Sequence, residues 1–242
     1  MIRPGAEFDL GLAPSARQRE ATGRWLERVY ARLFEAYGPQ HWWPAGDRFE
    51  VLVGAVLTQN TSWVNVERAI AALSGASLLA PDALLEVDDT ALAECIRPAG
   101  YFNVKTRRLK ALAEWFVDAG GFAVLDKQST PALREALLSV HGVGPETADD
   151  ILLYAFERPV FVIDAYTRRI FARLVAAAEP GKDYEAWRAF FEAHLKPDTV
   201  LFNEYHALLV AHAKAHCLTR PVCAGCALAD GCRSASFARA QH

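Results

Sequence analysis

His141-Gly142-Val143-Gly144-Pro145-Glu146-Thr147-Ala148-Asp149 is the stretch that decides how this chain folds. Upstream of it, Leu133, Ala136, Leu137 and Val140 recur at the spacing of one helix face. Downstream, Ala148, Ile151, Leu152 and Ala155 repeat that spacing. Thr130 can cap the first helix with Pro131 in its first turn, and Pro145 opens the second. The stretch therefore reads as a tight turn between two amphipathic helices, bent at Gly142 and Gly144. A helix that starts after such a turn presents amide N–H groups and the positive end of its dipole, a combination that suits a phosphate whatever the base. A plain helix–helix turn needs the same residues, so the turn alone leaves its ligand open.

The helical period continues on both sides. Leu201, Tyr205, Leu208, Leu209 and His212 share one face near the end, and no run alternates as a strand does. Val51-Leu52-Val53-Gly54-Ala55-Val56-Leu57 is apolar all round, which predicts a central buried helix with Gly54 and Ala55 at close helix contacts. Breaks fall at Gly38-Pro39, Gly120-Gly121, Glu179-Pro180-Gly181 and Lys196-Pro197. The fold class expected is all-α. Apolar residues make up 52% of the 242 and charged ones 23%, enough to bury a sizeable core. No apolar run is long enough to cross a bilayer, and the first residues lack the pattern of an export signal, so the expected location is cytoplasmic, with the nucleoid if the source is prokaryotic.

The formal net charge of −3 argues weakly against a nucleic-acid partner, but a footprint is local. Lys105, Arg107, Arg108 and Lys110 form one basic cluster, and Arg168, Arg169 and Arg173 a second. Either is a phosphate-binding face or an ordinary solvated helix face.

Four of the five cysteines, Cys217, Cys223, Cys226 and Cys232, stand in a C-x5-C-x2-C-x5-C array. Disulfides are rare in a cytoplasmic chain, so clustered thiols point to metal. Zinc sites usually show two C-x2-C knuckles and this array has one, although His212 and His216 could complete a zinc set. A four-iron cluster suits four thiolates on one wrapping segment. Cys95, alone in a helical stretch, is expected to be a buried core thiol. Asp164 follows the apolar Val160-Phe161-Val162-Ile163 and precedes an arginine-rich helix. It is either an N-cap or a catalytic carboxylate, and the two roles are compatible.

Taken together, Leu57-Thr58-Gln59-Asn60, the hairpin, Asp164 in its V-I-D-A context and the four cysteines resemble the helix-hairpin-helix DNA glycosylases of the endonuclease III superfamily over roughly residues 40–232. The resemblance implies two helical domains. One is a barrel over 40–152 that ends in the hairpin; the other is built from 1–39 and 153–242 and carries a [4Fe–4S] cluster on the four cysteines. It also implies a monomer acting on double-stranded DNA with a damaged base. Asp164 matches the essential aspartate. Gln59 matches the residue that fills the gap left by an extruded nucleotide, and Asn60 beside it is expected to bind DNA. Tyr101 matches a wedge in the base stack, continued by Asn103 and Lys105, and Gly142, Val143 and Gly144 match the phosphate-gripping turn.

The departures narrow the reading. Members that cut the strand carry a lysine where this chain has Glu146, and a carboxylate cannot form the Schiff base, so strand cleavage by that route is expected to be lost. Glu146, Trp42, Trp43, Trp63 and the stretch T-Q-N-T-S-W are most similar to the 3-methyladenine DNA glycosylase III branch, in which positions matching Trp43, Trp63 and Glu146 line the base pocket. An alkylated purine is cationic and stacks well on indole. Core packing is the other use of such tryptophans. Glu146 and Asp164 at one site would raise the pKa of one carboxyl, unless a cationic base or a monovalent cation at the hairpin relieves it. The first cysteine gap is one residue shorter than in endonuclease III itself. The activity expected is hydrolysis of the N-glycosidic bond of an alkylated, cationic purine without efficient strand cleavage. An endonuclease III-like enzyme for oxidised pyrimidines and a catalytically silent DNA-binding or damage-sensing protein are the competing readings.

Overall fold

The computed structural model describes residues 15–175, 180 and 183–235, so the break expected at Glu179-Pro180-Gly181 lies largely outside the described residues. Among these residues there are twelve α-helices and no strand. The chain divides into two compact units, Trp43–Arg158 and the described residues on either side of it.

The inner unit runs α2 (Arg48–Leu57), α3 (Trp63–Gly75), α4 (Pro81–Glu86), α5 (Asp89–Ile96), a 3-10 turn (Arg97–Ala99), α6 (Phe102–Asp118), α7 (Gly121–Leu125), α8 (Thr130–Ser139) and α9 (Pro145–Tyr154). Helix α2 is the expected buried helix, with every residue from Val51 to Leu57 inside. Asp47 caps its start by accepting from Glu50 N. At Gly54 the nearest neighbour is a ring rather than another helix. The Trp43 indole lies on it, and a Cβ there would come within 2.8 Å of the ring. Helices α8 and α9 form the hairpin. The cap of α8 is Ser129, whose hydroxyl accepts from Ala132 N, one residue before the expected Thr130. The two helices are clamped by Arg134, which donates to both carboxylate oxygens of the fully buried Asp149. Truncating Arg134 would take a two-point ion pair away from a buried carboxylate, so this pair is costly to break.

The outer unit comprises α1 (Ala16–Tyr37), α10 (Ala165–Val175), α11 (Tyr184–His194), α12 (Thr199–Ala215) and the cysteine-bearing loop after it. Helix α1 begins with a Ser15–Gln18 capping box and ends at Gly38, whose φ of +67° requires glycine. Its core is aromatic: Phe161 stacks on Phe191, and Phe171, Phe202 and Tyr205 meet them edge-on. Each such ring contributes about 1.5–3 kcal/mol by burial. The buried Tyr205 hydroxyl is satisfied by Leu26 O at 2.9 Å. Cys95, on α5 of the inner unit, is half-buried rather than a core thiol. Among the described residues no helix is long and apolar enough to cross a membrane.

Candidate functional site

Asp164 is reached through the buried, non-helical Val160–Ile163 segment. Buried backbone outside a helix must find other partners. Here Phe161 N donates to Glu192 Oε1 at 3.0 Å and Ile163 N to the Tyr184 hydroxyl at 3.3 Å. The segment delivers Asp164 to the start of α10, where Oδ1 accepts Thr167 N at 2.6 Å. The N-cap expectation is met. The other oxygen, Oδ2, lies 3.6 Å from Nε2 of the buried His206 on α12. Burial pushes the Asp164 carboxyl up, but His206 and the Thr167 amide and hydroxyl outweigh it and hold the group below the usual carboxylate range. The result is an ionised, rigidly held carboxylate. His206 has no sequence signal, because it is 42 residues away from Asp164 on a separate helix.

In the inner unit, the hairpin turn places Gly142 at φ +87°, with Arg108 across it so closely that a Cβ would come within 2.3 Å of Arg108 Cγ. Gly144 is different. Its φ of −96° is open to any residue and nothing lies within 4 Å of a Cβ there, so only Gly142 is required by the bend itself. Gly144 is the N-cap of α9, and no side chain caps that end. Glu146 is exposed in the first turn. Gln59 is not extended: its Nε2 donates to Gly142 O at 3.0 Å and Thr147 Oγ1 at 2.9 Å, and Arg108 donates to its Oε1. Asn60, at φ +53°, and Asn103 are exposed. Tyr101 is 71% exposed at φ +46°, a large ring held outward on a left-handed backbone.

The first basic cluster disperses. Lys105 is not at a DNA-facing surface: it is buried, with Nζ donating to Leu57 O at 2.8 Å and Ala99 O at 2.9 Å. Sequence places it beside Arg107 and Arg108, but at 100° per residue Arg107 leaves α6 on the opposite side, while Arg108, three residues on, shares the inward face of Lys105. Lys110 binds Val87 O and Asp89, and Arg107 is exposed. The second cluster is also spoken for. Arg169 donates to Cys217 O, Arg173 to Leu218 O and Thr219 O, and Arg168 lies over the Tyr184 ring.

Trp43 and Trp63 meet edge to face at 5.0 Å between centroids, and Trp43 packs on Tyr154 at 5.3 Å. All three rings are half-buried, and the Trp63 indole N–H is held by Glu67 at 2.9 Å. Trp42 is half-buried too. Tyr154 and Glu67 escaped the sequence reading.

Cys217, Cys223, Cys226 and Cys232 are free of disulfides and line one cavity of about 340 Å³, part of it open to solvent. Around it, Arg173 donates to Cys217 Sγ at 3.1 Å, and His212 Nε2 lies 3.7 Å from Cys226 Sγ. His212 Nδ1 is 2.8 Å from the Tyr37 hydroxyl, and His216 Nδ1 is 3.0 Å from Val222 O. Among the described residues no three His, Cys, Asp or Glu side chains are grouped as ligands of a single ion.

Residues 53–197 match the HhH-GPD superfamily base excision DNA repair protein family. The chain is 47% identical to "Putative DNA repair glycosylase MJ1434" of Methanocaldococcus jannaschii, over 86% of this chain and 96% of that one. It is 30% identical to endonuclease III of Sulfolobus acidocaldarius, over 76% and 81% respectively. Among solved structures, the Helicobacter pylori 3-methyladenine DNA glycosylase MagIII bound to 1,N6-ethenoadenine is similar with a TM-score of 0.69 and 29% identity, over 80% of this chain and 97% of that one. A non-covalent endonuclease III–DNA complex shares the fold with a TM-score of 0.76 at 19% identity, over 91% and 99%. With its helical fold, glycine-turn hairpin and buried aspartate, the chain belongs to the HhH-GPD superfamily of base excision DNA repair proteins, a superfamily of DNA glycosylases.

Proposed function

We propose that this enzyme is a monofunctional glycosylase that hydrolyses the N-glycosidic bond of alkylated, cationic purines in double-stranded DNA. The observation that carries the reading is the half-buried group of Trp43, Trp63 and Tyr154, together with Glu146 in place of a lysine on the same hairpin helix as Tyr154. A cationic base stacked on this aromatic group gains about 0.5–2 kcal/mol once water is excluded. A carboxylate in the first turn of α9 adds Coulomb attraction to it. The similarity to MagIII, solved with a modified adenine, supports a purine.

The bond is out of reach in a duplex, so the nucleotide is extruded before reaction. Tyr101 and Asn60, with Asn103 beside them, enter the stack, and Gln59 fills the gap. Gly142, Val143 and Gly144 hold phosphate on the amides at the start of α9. The glycosidic C–N bond then breaks and its electron pair passes to the ring nitrogen, which cancels the charge of the alkylated base. Asp164 stabilises the positive charge left on the sugar. Water adds its oxygen to that carbon and gives up a proton, leaving an abasic site on an intact strand.

The cysteine set fits a [4Fe–4S] cluster better than one zinc ion. All four thiols surround a single cavity, yet they are not grouped as a single ion's ligands, and His212 and His216 have other partners. Cys217, Cys223, Cys226 and Cys232 would hold the cluster, which when bound supplies a rigid, redox-capable staple for the loop. A monovalent cation at the hairpin belongs to the same proposal.

Labelled duplexes carrying a methylated purine, thymine glycol or an abasic site test the reading. Breaks on the methylated-purine duplex that appear only after alkali are the expected result. Breaks without alkali overturn the monofunctional assignment. Excision of thymine glycol alone supports the second reading, an oxidised-pyrimidine enzyme, which the likeness to endonuclease III favours. No break on the methylated-purine or thymine glycol duplex after alkali, and none on the abasic duplex before alkali, supports a silent damage-binding protein.

A further inference from the structure

Lys105 and Arg108 lie three residues apart on α6, on one helix face. Neither is a surface cation waiting for phosphate. The Lys105 ammonium sits between Leu57 O, at the C-terminal end of α2, and Ala99 O, at the end of the 3-10 turn. Carbonyls at a helix end have no partner within the helix and carry its negative pole, so a buried cation there meets both needs. Each of these carbonyls lies just before an exposed tip. Two residues after Leu57 comes Gln59, then Asn60 at φ +53°; two after Ala99 comes Tyr101 at φ +46°. One ammonium therefore holds the bases of two exposed tips whose backbones are both strained into the left-handed region.

Arg108 continues the same structure one turn on. Its guanidinium donates to Gln59 Oε1, its stem lies against Gly142, and Gln59 in turn donates to Gly142 O and Thr147. The Arg108 Nε is buried without a hydrogen-bond partner among the described residues. A donor left in that state is costly and persists only where the surroundings dictate the pose.

We propose that Lys105 and Arg108 are positioning residues for DNA invasion, which from one face of α6 lock the Gln59 tip, the Tyr101 tip and the hairpin turn into a preset register. The inference rests on the proposed DNA-repair reading, because it gives those three segments their DNA-facing role. Preorganisation of this kind lowers the ordering cost of binding a distorted duplex. A buried lysine that merely filled space would not join two separate tips, and an arginine that merely packed would not take up both the Gln59 amide and the glycine of the turn.

The test uses the full chain and a duplex with a tetrahydrofuran abasic analogue, which stands in for a sugar without its base, opposite 2-aminopurine. Affinity relative to the undamaged duplex and 2-aminopurine fluorescence are both read. Arg108→Met is expected to lose discrimination about ten-fold and most of the fluorescence change, with Arg108→Lys restoring part of each. Gln59→Ala added to Arg108→Met should cost nothing further, because the two act as one unit. Lys105→Met should lose discrimination similarly; the Arg108 variants keep the test decisive if Lys105→Met does not fold by circular dichroism. Folded Arg108 variants with wild-type discrimination and fluorescence overturn the proposal, as do additive losses for Gln59 and Arg108. A wild-type protein that itself fails to discriminate overturns the DNA-repair reading beneath it instead.

Discussion

Replacing Asp164 by asparagine and by alanine separates its two roles. Each carboxylate oxygen has its own partner: Oδ1 accepts Thr167 N at 2.6 Å, and Oδ2 lies 3.6 Å from His206. Asparagine keeps an oxygen for Thr167 N and so keeps the cap, losing only the charge's attraction to His206, so Asp164→Asn should lower the melting temperature less than alanine does. Alanine removes the cap at a cost of about 0.5–2 kcal/mol, a drop of about 2–4 °C per kcal/mol in a chain of this size. The chemistry behaves differently, because both variants remove the negative charge. If that charge stabilises the developing cation on the sugar, single-turnover excision should fall about 10²–10⁴-fold in both, or about 2.7–5.4 kcal/mol of barrier. The assay is excision of a methylated purine with enzyme in excess, quenched in alkali, beside thermal melts and the affinity for an abasic-analogue duplex. Asp164→Asn retaining a rate within ten-fold of wild type would refute the catalytic role and leave only the cap. A rate loss in alanine alone, tracking its lost stability, leads to the same conclusion. The pH profile adds a check. Asp164 is held below the usual carboxylate range, so its folded form binds protons more weakly than the unfolded chain. Its contribution to stability is therefore present above the ordinary carboxylate pKa and lost as the pH falls through its own lower value, and the acid limb of the rate profile should lie below that ordinary range.

Other outcomes depend on individual residues. Glu146→Lys restores the amine that strand-cleaving members use, so borohydride should trap a covalent protein–DNA adduct with the variant and not with wild type. The Lys105 amine is pushed down to about 8, by burial first and by the nearby Arg108 charge second, from an unfolded value of 10.5. The unfolded chain thus holds more protons between those values, and wild type should gain stability relative to Lys105→Met as pH rises from 8 to 10; denaturant melts showing a flat or opposite trend would contradict the buried placement. Anaerobically purified protein should contain iron and inorganic sulfide rather than zinc, and Cys226→Ala should lose them and loosen the loop that Arg169 and Arg173 bind.

Several features were legible in the linear order of residues. The hairpin announced itself because local rules govern it: helical spacing on both flanks, proline in each first turn, and a glycine at position 142, where φ is +87°. The Asp164 cap is equally local, a carboxylate three residues before the amide it accepts. The four cysteines lie close enough in sequence that their shared cavity was expected.

The long-range pairings were not legible. Asp164 gained His206, Trp43 gained Tyr154, and Gln59 was drawn onto Gly142 rather than left extended. The basic clusters show the reason best. In sequence Lys105, Arg107, Arg108 and Lys110 form a single patch, and Arg168, Arg169 and Arg173 another. Helical rotation sends neighbours to different faces, and what each face meets depends on segments tens of residues away. Sequence by itself determined the helices, the hairpin and the family, because those depend on local spacing and residue type. Only the tertiary structure decided which cations meet solvent and which end buried on carbonyls or the cysteine loop, because a charge's role is set by the groups that folding brings to it.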